Sequence, residues 1–384
     1  MQRLSTTVSR RVRLALAAAL TVGLAGGLVG GNPASADPKQ FGAAVGVGSD
    51  TTQDVMNAAA GNANGTNYTP VQSTDATKRQ LVSWDAVGST CITPKAPGAT
   101  ILRPNGSTNG RRALSRAIDG GLWGNGTDCG GSKSTTGLVQ FARSSAGPSG
   151  TGTQLTYIPF GRDAMSFAYY ANGVTPVTTL TSAQLTSLFS TGPQNIGGVD
   201  IVPCSIQLGS GTYQFWNTAL GVSAAQMAAA TTSCTPAGQE LQENDANALR
   251  TRGSQAAFAG KQVIVGFSAG NFISQTNGDA GSQLPTPAGS VDLGQIDALG
   301  KPYNGPVAGP ITPNPAFYSS GTYGRLVYNV LPTTVATGFG NNDLKSLFVG
   351  SSSALCSATS TIEAFGFLSL GSGCGTTTLQ GPLV

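Results

Sequence analysis

Apolar and polar positions along this chain change period repeatedly. Short apolar runs read as buried strands, and three of them lead through a polar turn into a stretch with helical spacing. The first is "FGAAVGVGSDTTQDVMNAAAG": a strand ending at Gly48, the turn Ser49-Asp50-Thr51-Thr52, then a helix with Val55, Met56 and Ala59 inward. The second, "ATILRPNGSTNGRRALSRAIDGG", predicts a strand ending near Arg103 and a helix carrying Ala113, Leu114, Ala117 and Ile118 on one face. The third, "GVDIVPCSIQLGSGTYQFWNTALG", predicts strand Val199–Cys204, the turn Gly209-Ser210-Gly211-Thr212, and a helix with Phe215, Trp216 and Leu220. Repeated strand–turn–helix units indicate an α/β fold with mostly parallel sheets.

Other segments fill in the outline. "LTYIPFGRDAMSFAYYANG" predicts one or two strands, and "TLTSAQLTSLFST" a helix in which Thr181 and Gln184 fit a capping box and Leu185, Leu188 and Phe189 face inward. Gly278 to Pro315 is rich in Gly and Pro and reads as a long surface excursion or hairpin. Order returns with "RLVYNVLP", "NDLKSLFVG" and "STIEAFGFLSL".

The first 36 residues read as an export signal: Arg10, Arg11 and Arg13, an apolar run from Leu14 to Gly31, then Ala34-Ser35-Ala36, with cleavage expected near Ala36-Asp37. No cysteine lies there, so no lipid anchor is expected, and nothing later reads as a membrane span. Four of the chain's 21 basic residues fall in this leader, which leaves seventeen against 17 acids. A neutral mature chain has no electrostatic footprint for nucleic acid or anionic membrane. All six cysteines, Cys91, Cys129, Cys204, Cys234, Cys356 and Cys374, lie in the mature part. An even count in an exported chain indicates disulfides, and order along the chain favours 91–129, 204–234 and 356–374. No C-x-x-C cluster or histidine supports a metal site, and no cofactor is expected.

One motif points to catalysis. "VIVGFSAGN" is a strand entering G-x-S-x-G, the pattern of a hydrolase nucleophile elbow around Ser268. That chemistry needs a base to take the serine proton. The chain has no histidine, and no serine stands three residues before a lysine. The motif therefore reads as a buried strand leaving a sheet through a tight turn, and no enzyme is expected. The scattered acids, such as Glu243 and Asp245 in "QENDAN", form no recognisable catalytic pair.

The three turns suggest a different chemistry. The first turn of a helix leaves its N–H groups without internal partners and concentrates partial positive charge there. Serine and threonine add hydroxyl donors, and glycine allows close approach, so such a turn can hold an anion without basic residues. Ligands of open α/β sheets gather at the carboxyl ends of strands, where two facing lobes could bring these turns together.

The stretches "GVGSDTTQDVM", "NGSTNGRRAL", "VQFARSSAGP", "LTSAQLTSLFS" and "GSGTYQFW" resemble, in order, those of the phosphate-binding, substrate-binding proteins of ABC phosphate importers. The likeness covers most of Val45 to Trp216 and fades beyond residue 275. It implies a periplasmic-binding-protein-like fold of two lobes, each a mostly parallel sheet flanked by helices, joined by two crossover strands. It divides the chain into lobe 1 (37–156 and 263–384, with the 278–315 excursion) and lobe 2 (157–262). Hinge closure would turn on the crossovers near Tyr157–Ala168 and Val263–Ala269. The implied ligand set is Ser49, Asp50 and Thr51 in the first turn, Ser107 with Thr108 in the second, Arg143, Ser144 and Ser145 in a third, and Ser210, Gly211 and Thr212.

Two signature charges of that family are replaced. Ile206 stands where it has an arginine, four residues before the S-G-T serine, and Ser145 where it has an aspartate. Arg143 and Asp50 are the candidates to stand in for them. The expected function is an exported receptor, monomeric, closing on a small anion, phosphate above all, and serving an ABC permease. The alternative is a secreted scavenger or surface-interaction protein with the same fold and a changed or lost ligand.

Overall fold

The structure is a computed structural model that describes residues 43–61, 81–279, 290–307, 309–339 and 343–384. The export signal with its cleavage point, and residues 280–289 of the Gly/Pro-rich excursion, lie outside the described residues. Ten strands form one sheet: β1 (Ala44–Gly48), β2 (Leu81–Ser83), β3 (Phe141–Ser144), β4 (Leu155–Ala171), β5 (Gln194–Ile196), β6 (Val199–Cys204), β7 (Lys261–Ser268), β8 (Asp292–Leu293), β9 (Gly324–Pro332) and β10 (Gln380–Gly381). The order across it is β5-β6-β7-β4-β9-β3-β1-β2, with β8 and β10 also paired to β4. Pairing is parallel at β1/β2, β1/β3 and β6/β7, where the strand–turn–helix units feed in. It is antiparallel where β4 meets β9 and β7.

The helices that matter for the site are α1 (Gln53–Ala59), α2 (Gly106–Asp119), α3 (Ser182–Thr191), α4 (Gly211–Leu220), α5 (Ala224–Thr231), α6 (Ala246–Gly253) and α7 (Ala269–Asn277). The capping box read at Thr181 and Gln184 is present at the start of α3. The architecture is mixed α/β, a large sheet flanked by helices.

Strand β4 organises the sheet. Its 17 residues run unbroken and are buried on both faces for most of their length, which explains an apolar run too continuous to resolve into one strand or two. Its first part pairs with β9 and its second with β7, so the two halves of the sheet share one strand. The register shifts between Val327, opposite Gly161, and Tyr328, opposite Pro159, which leaves Phe160 as the extra residue on β4. In the first half, β1 alternates its faces: Val45 and Val47 pack with Ala113 and Leu114 of α2, while Ala44 packs with Val55 and Met56 of α1. The second half is one core around Phe167, Phe189, Trp216, Phe267 and Phe272.

One expected unit departs from the pattern. The strand near Arg103 is only Ile101–Leu102, and it pairs with Cys91–Ile92 in a separate ribbon instead of joining the main sheet. Pro104 cannot donate to a ladder, so the chain touches β1 through a single bridge, Gly48 to Asn105, before α2 begins. Ile118, expected inward, is 40% exposed near the end of α2. Disulfides join Cys91–Cys129, Cys204–Cys234 and Cys356–Cys374. Among the described residues no helix is long and apolar enough to cross a membrane.

Gly266 in β7 makes room for an aromatic ring. A Cβ there would lie 2.8 Å from Cδ1 and Cγ of Trp216, which is held edge-on by Phe189 at 5.7 Å. Gly266→Ala is therefore expected to lower stability by about 1–3 kcal/mol, read as a shift in the urea unfolding midpoint.

Candidate functional site

Two close approaches of backbone bring the turns together. Gly48 ends β1 at φ +118°, and a Cβ there would meet the Arg143 carbonyl at 2.8 Å and Gly110 Cα at 3.0 Å. Only glycine lets α2 lie so near the first turn. At Gly211 an added Cβ would stand 2.5 Å from Ser107 Oγ and 2.6 Å from Ser145 Oγ. The N-termini of α2 and α4 thus abut. Rim contacts fasten them: Gln207 Nε2 donates to Asn105 Oδ1 at 2.8 Å, Gln214 Nε2 to Thr108 Oγ1 at 2.7 Å, and Thr108 N to the Gly209 carbonyl at 3.2 Å.

Inside this junction the hydroxyls form an ordered relay. Arg325, at the start of β9, donates through Nη2 to Thr212 Oγ1 at 2.8 Å. That leaves the Thr212 O–H to donate to Thr51 Oγ1, 2.8 Å away, and the Thr51 O–H to donate to Glu243 Oε1 at 3.2 Å. Ser210 is the N-cap of α4. Its Oγ accepts from Thr212 N at 2.9 Å and Tyr213 N at 3.3 Å, and donates to Glu243 Oε1. Glu243 reaches this point because Leu241 is bridged to Ile206: Gln207 N donates to the Leu241 carbonyl and Leu241 N to the Ser205 carbonyl, both at 3.0 Å.

Arg325 is anchored on its other side. Its Nε and Nη2 donate to Asp163 Oδ2 at 3.0 and 2.8 Å, while Asp163 Oδ1 accepts from Ser268 Oγ at 3.0 Å and Gly270 N at 3.1 Å. Ser268 is thereby fixed as the N-cap of α7, its Oγ also accepting from Asn271 N at 3.2 Å. Its backbone is unstrained at φ −68°, ψ 125°, and its proton goes to Asp163.

Of the residues singled out by sequence, Ser49, Asp50, Thr51, Ser107, Ser145, Ser210, Gly211 and Thr212 are buried around this junction. Ser107 Oγ accepts from Ser145 N at 3.0 Å and lies 3.3 Å from Ser145 Oγ. Three residues are committed elsewhere. Arg143 donates to the Ser49 carbonyl at 3.0 Å, Ser83 Oγ at 2.8 Å and the Gly48 carbonyl at 3.4 Å, bracing the end of β1 from behind. Ser144 closes its own turn with Ala146, and Thr108 belongs to the rim. The guanidinium that reaches the S-G-T turn is Arg325, not Arg143.

Arg325, Asp163 and Glu243 were not picked out as site residues from the sequence. A signal existed for two of them, since each is a charge inside an apolar strand. Buried charges need partners, and an Asp in one crossover with an Arg in its neighbour is such a pair. Glu243 carried no signal, because its position depends on the Ile206–Leu241 bridge.

Burial, and then the Glu243 charge, pushes the Asp50 carboxyl well above the ordinary carboxylate range. Burial also lowers Arg143 to about 10, against the pull of Asp85, Asp50 and Asp54. Ser49 Oγ and Arg325 Nη1 are buried at the junction without a hydrogen-bond partner, and the Asp50 carboxyl is hydrogen-bonded to the Glu243 side chain. Unpaired donors and acceptors in one place are a site's signature when they belong to converging segments.

No family model matches the chain, and no curated protein matches it. Among solved structures it is similar to a protein from Clostridium perfringens assigned as a phosphate ABC transporter substrate-binding protein and solved with bound phosphate. That pair shows 12% identity and a TM-score of 0.45 over 85% of this chain and 99% of the other. A phosphate-binding protein from Stenotrophomonas maltophilia shows 15% identity and a TM-score of 0.44 over 85% and 90%. An ABC-type phosphate transport receptor from Vibrio cholerae shows 17% identity and a TM-score of 0.41 over 69% and 86%. Identities this low carry no residue role across.

The buried acids set a pH dependence. Asp54, behind the first turn, is raised from 3.8 to about 7 by burial and then by the Asp85 charge, partly offset by Gln53 and Arg143. A raised carboxyl binds its proton in the folded chain where the unfolded chain has lost it. The stability it contributes is present below about pH 4 and is lost as pH rises toward about 7. Urea midpoints are expected to fall over that interval, and Asp54→Asn to flatten the slope.

Proposed function

We propose that the chain is an exported solute-binding protein that closes a two-lobed cleft on a small oxyanion, phosphate in a protonated form, for ABC-type uptake. The observation that carries this reading is the meeting of Thr51, Ser107, Ser145, Thr212 and Arg325 where two helix N-termini abut. Hydroxyl and guanidinium donors beside helix N-termini suit an anion. The Glu243 carboxylate at the same junction disfavours a fully deprotonated anion and favours a ligand with a proton to give, which separates phosphate from sulfate.

In this reading lobe 1 comprises 37–156 and 263–384, lobe 2 comprises 157–262, and closure turns on β4 and β7. The liganding groups are Ser49, Asp50, Thr51, Ser107, Ser145, Ser210, Gly211 and Thr212, with Arg325 in the role expected of Arg143. The receptor acts as a monomer outside the membrane and hands its ligand to a permease, without catalysis: Ser268 is fully buried as the N-cap of α7, and the Asp163 carboxylate beside it is held by Arg325. A specific observation favours the scavenger or surface-interaction alternative, namely that Glu243 already engages two of the donors.

Calorimetric titration of the mature protein tests the reading. Phosphate is expected to bind and sulfate not. Thr212→Val, which removes one hydroxyl from the relay at nearly constant volume, is expected to weaken phosphate binding by about tenfold. Equal heats for both anions, or none for phosphate, would overturn it.

A further inference from the structure

Glu243 is held as an anionic ligand would be held. Ser210 Oγ, at the N-terminus of α4, and Thr51 Oγ1, from the turn after β1, both donate to the same oxygen, Oε1. The donors come from opposite halves of the sheet, so the carboxylate bridges them. The Asp50 carboxyl, raised by burial and then by the Glu243 charge, is hydrogen-bonded to the Glu243 side chain, and Glu243 is fully buried. Through Thr51 and Thr212 it stands at the end of a relay that begins at the Arg325 guanidinium.

The charge balance calls for such a group. Two helix N-termini brought into contact set partial positive charge against partial positive charge, while the arginine aimed at the same place is already paired with Asp163. A negative charge between them relieves that repulsion. Ile206, which stands in the strand-to-turn segment leading to Ser210, is apolar, buried and bridged to Leu241, and that bridge delivers Glu243 two residues later.

We propose that Glu243 is a resident anion: its carboxylate occupies the oxyanion seat between Thr51 and Ser210, and a free oxyanion binds by displacing it. This rests on the receptor reading for its ligand class, but the seat and its occupant stand on this chain's own geometry. The affinity for a free anion is then the intrinsic affinity reduced by the fraction of time that Glu243 holds the seat. Removing the side chain removes the competitor and leaves a space that a small carboxylate can fill.

The test compares the wild-type chain with Glu243→Ala by calorimetric titration and thermal unfolding, using inorganic phosphate and acetate as probes. Glu243→Ala is expected to bind phosphate at least about tenfold more tightly than wild type, and to gain thermal stability with acetate where wild type gains none. If wild type binds neither probe and the variant binds both, the resident anion stands and the uptake reading fails. If wild type binds phosphate and the variant binds it no more tightly, the resident anion is overturned and the uptake reading stands. A folded variant that binds neither probe overturns the resident anion too. Should Glu243→Ala not fold, Glu243→Gln decides: it removes the charge at constant volume, and unchanged phosphate affinity would overturn the proposal.

Discussion

The buried pair between Asp163 and Arg325 is the interaction on which the rest of the structure turns. Taking two charges out of water costs several kcal/mol per ion, and close pairing with further hydrogen bonds offsets it. Asp163 has four such donors: two from Arg325, one from Ser268 and one from the Gly270 amide. The pair lies where β7 and β9 meet end to end along β4, since Ser268 is opposite Met165 and Gly324 opposite Ala164. One interaction therefore joins the shared strand, both strands that flank it, and the start of α7. Because Arg325 also reaches Thr212, the same pair sets the position of the α4 N-terminus relative to the crossover strands.

Small residues determine how near the helices come to that pair. Gly48 against Gly110, and Gly211 against Ser107 and Ser145, are contacts that a single methyl would force apart. Their consequence is electrostatic as much as steric. Once two N-termini abut, the hydroxyls of Thr51, Ser107, Ser145 and Thr212 lie in a nearly dry environment, where each hydrogen bond counts for more and each unpaired group costs more. Position and polarity are thus set together, by glycines that carry no chemistry of their own.

Much of this was legible from pattern alone. Strand β6 and the apolar faces of α1 and α4 follow from period, and the capping box of α3 from four residues. The hydroxyl turns were legible because N-cap chemistry is local. The family resemblance puts Arg143 in a liganding turn, whereas its guanidinium lies on the carbonyls of Gly48 and Ser49. The strand expected before α2 was cut short by Pro104, a residue visible in the sequence whose effect depended on which sheet the strand would join. Arg325 and Glu243 are distant in sequence from every turn they serve: a charge inside an apolar strand marks Arg325 as needing a partner but not which turn it reaches, and Glu243 carries no such mark. Local physics shows in a sequence, and long-range pairing of charge shows only once the topology is known.

Ile206 and Glu243 are best understood as one exchange. An arginine at 206 would bring positive charge into the junction from the segment before α4, on top of the helix N-termini and Arg325. With isoleucine there, the segment instead forms a small bridge to Leu241, and the chain that follows turns a carboxylate inward. Arg325, entering from β9, brings a guanidinium to Thr212 and is neutralised by Asp163. The junction keeps a cation, a set of hydroxyls and an anion, but the anion is carried by the chain itself. On the resident-anion proposal, a solute that enters competes with a carboxylate covalently tethered at the seat. The effective concentration of that competitor is fixed by a short loop and not by the surroundings.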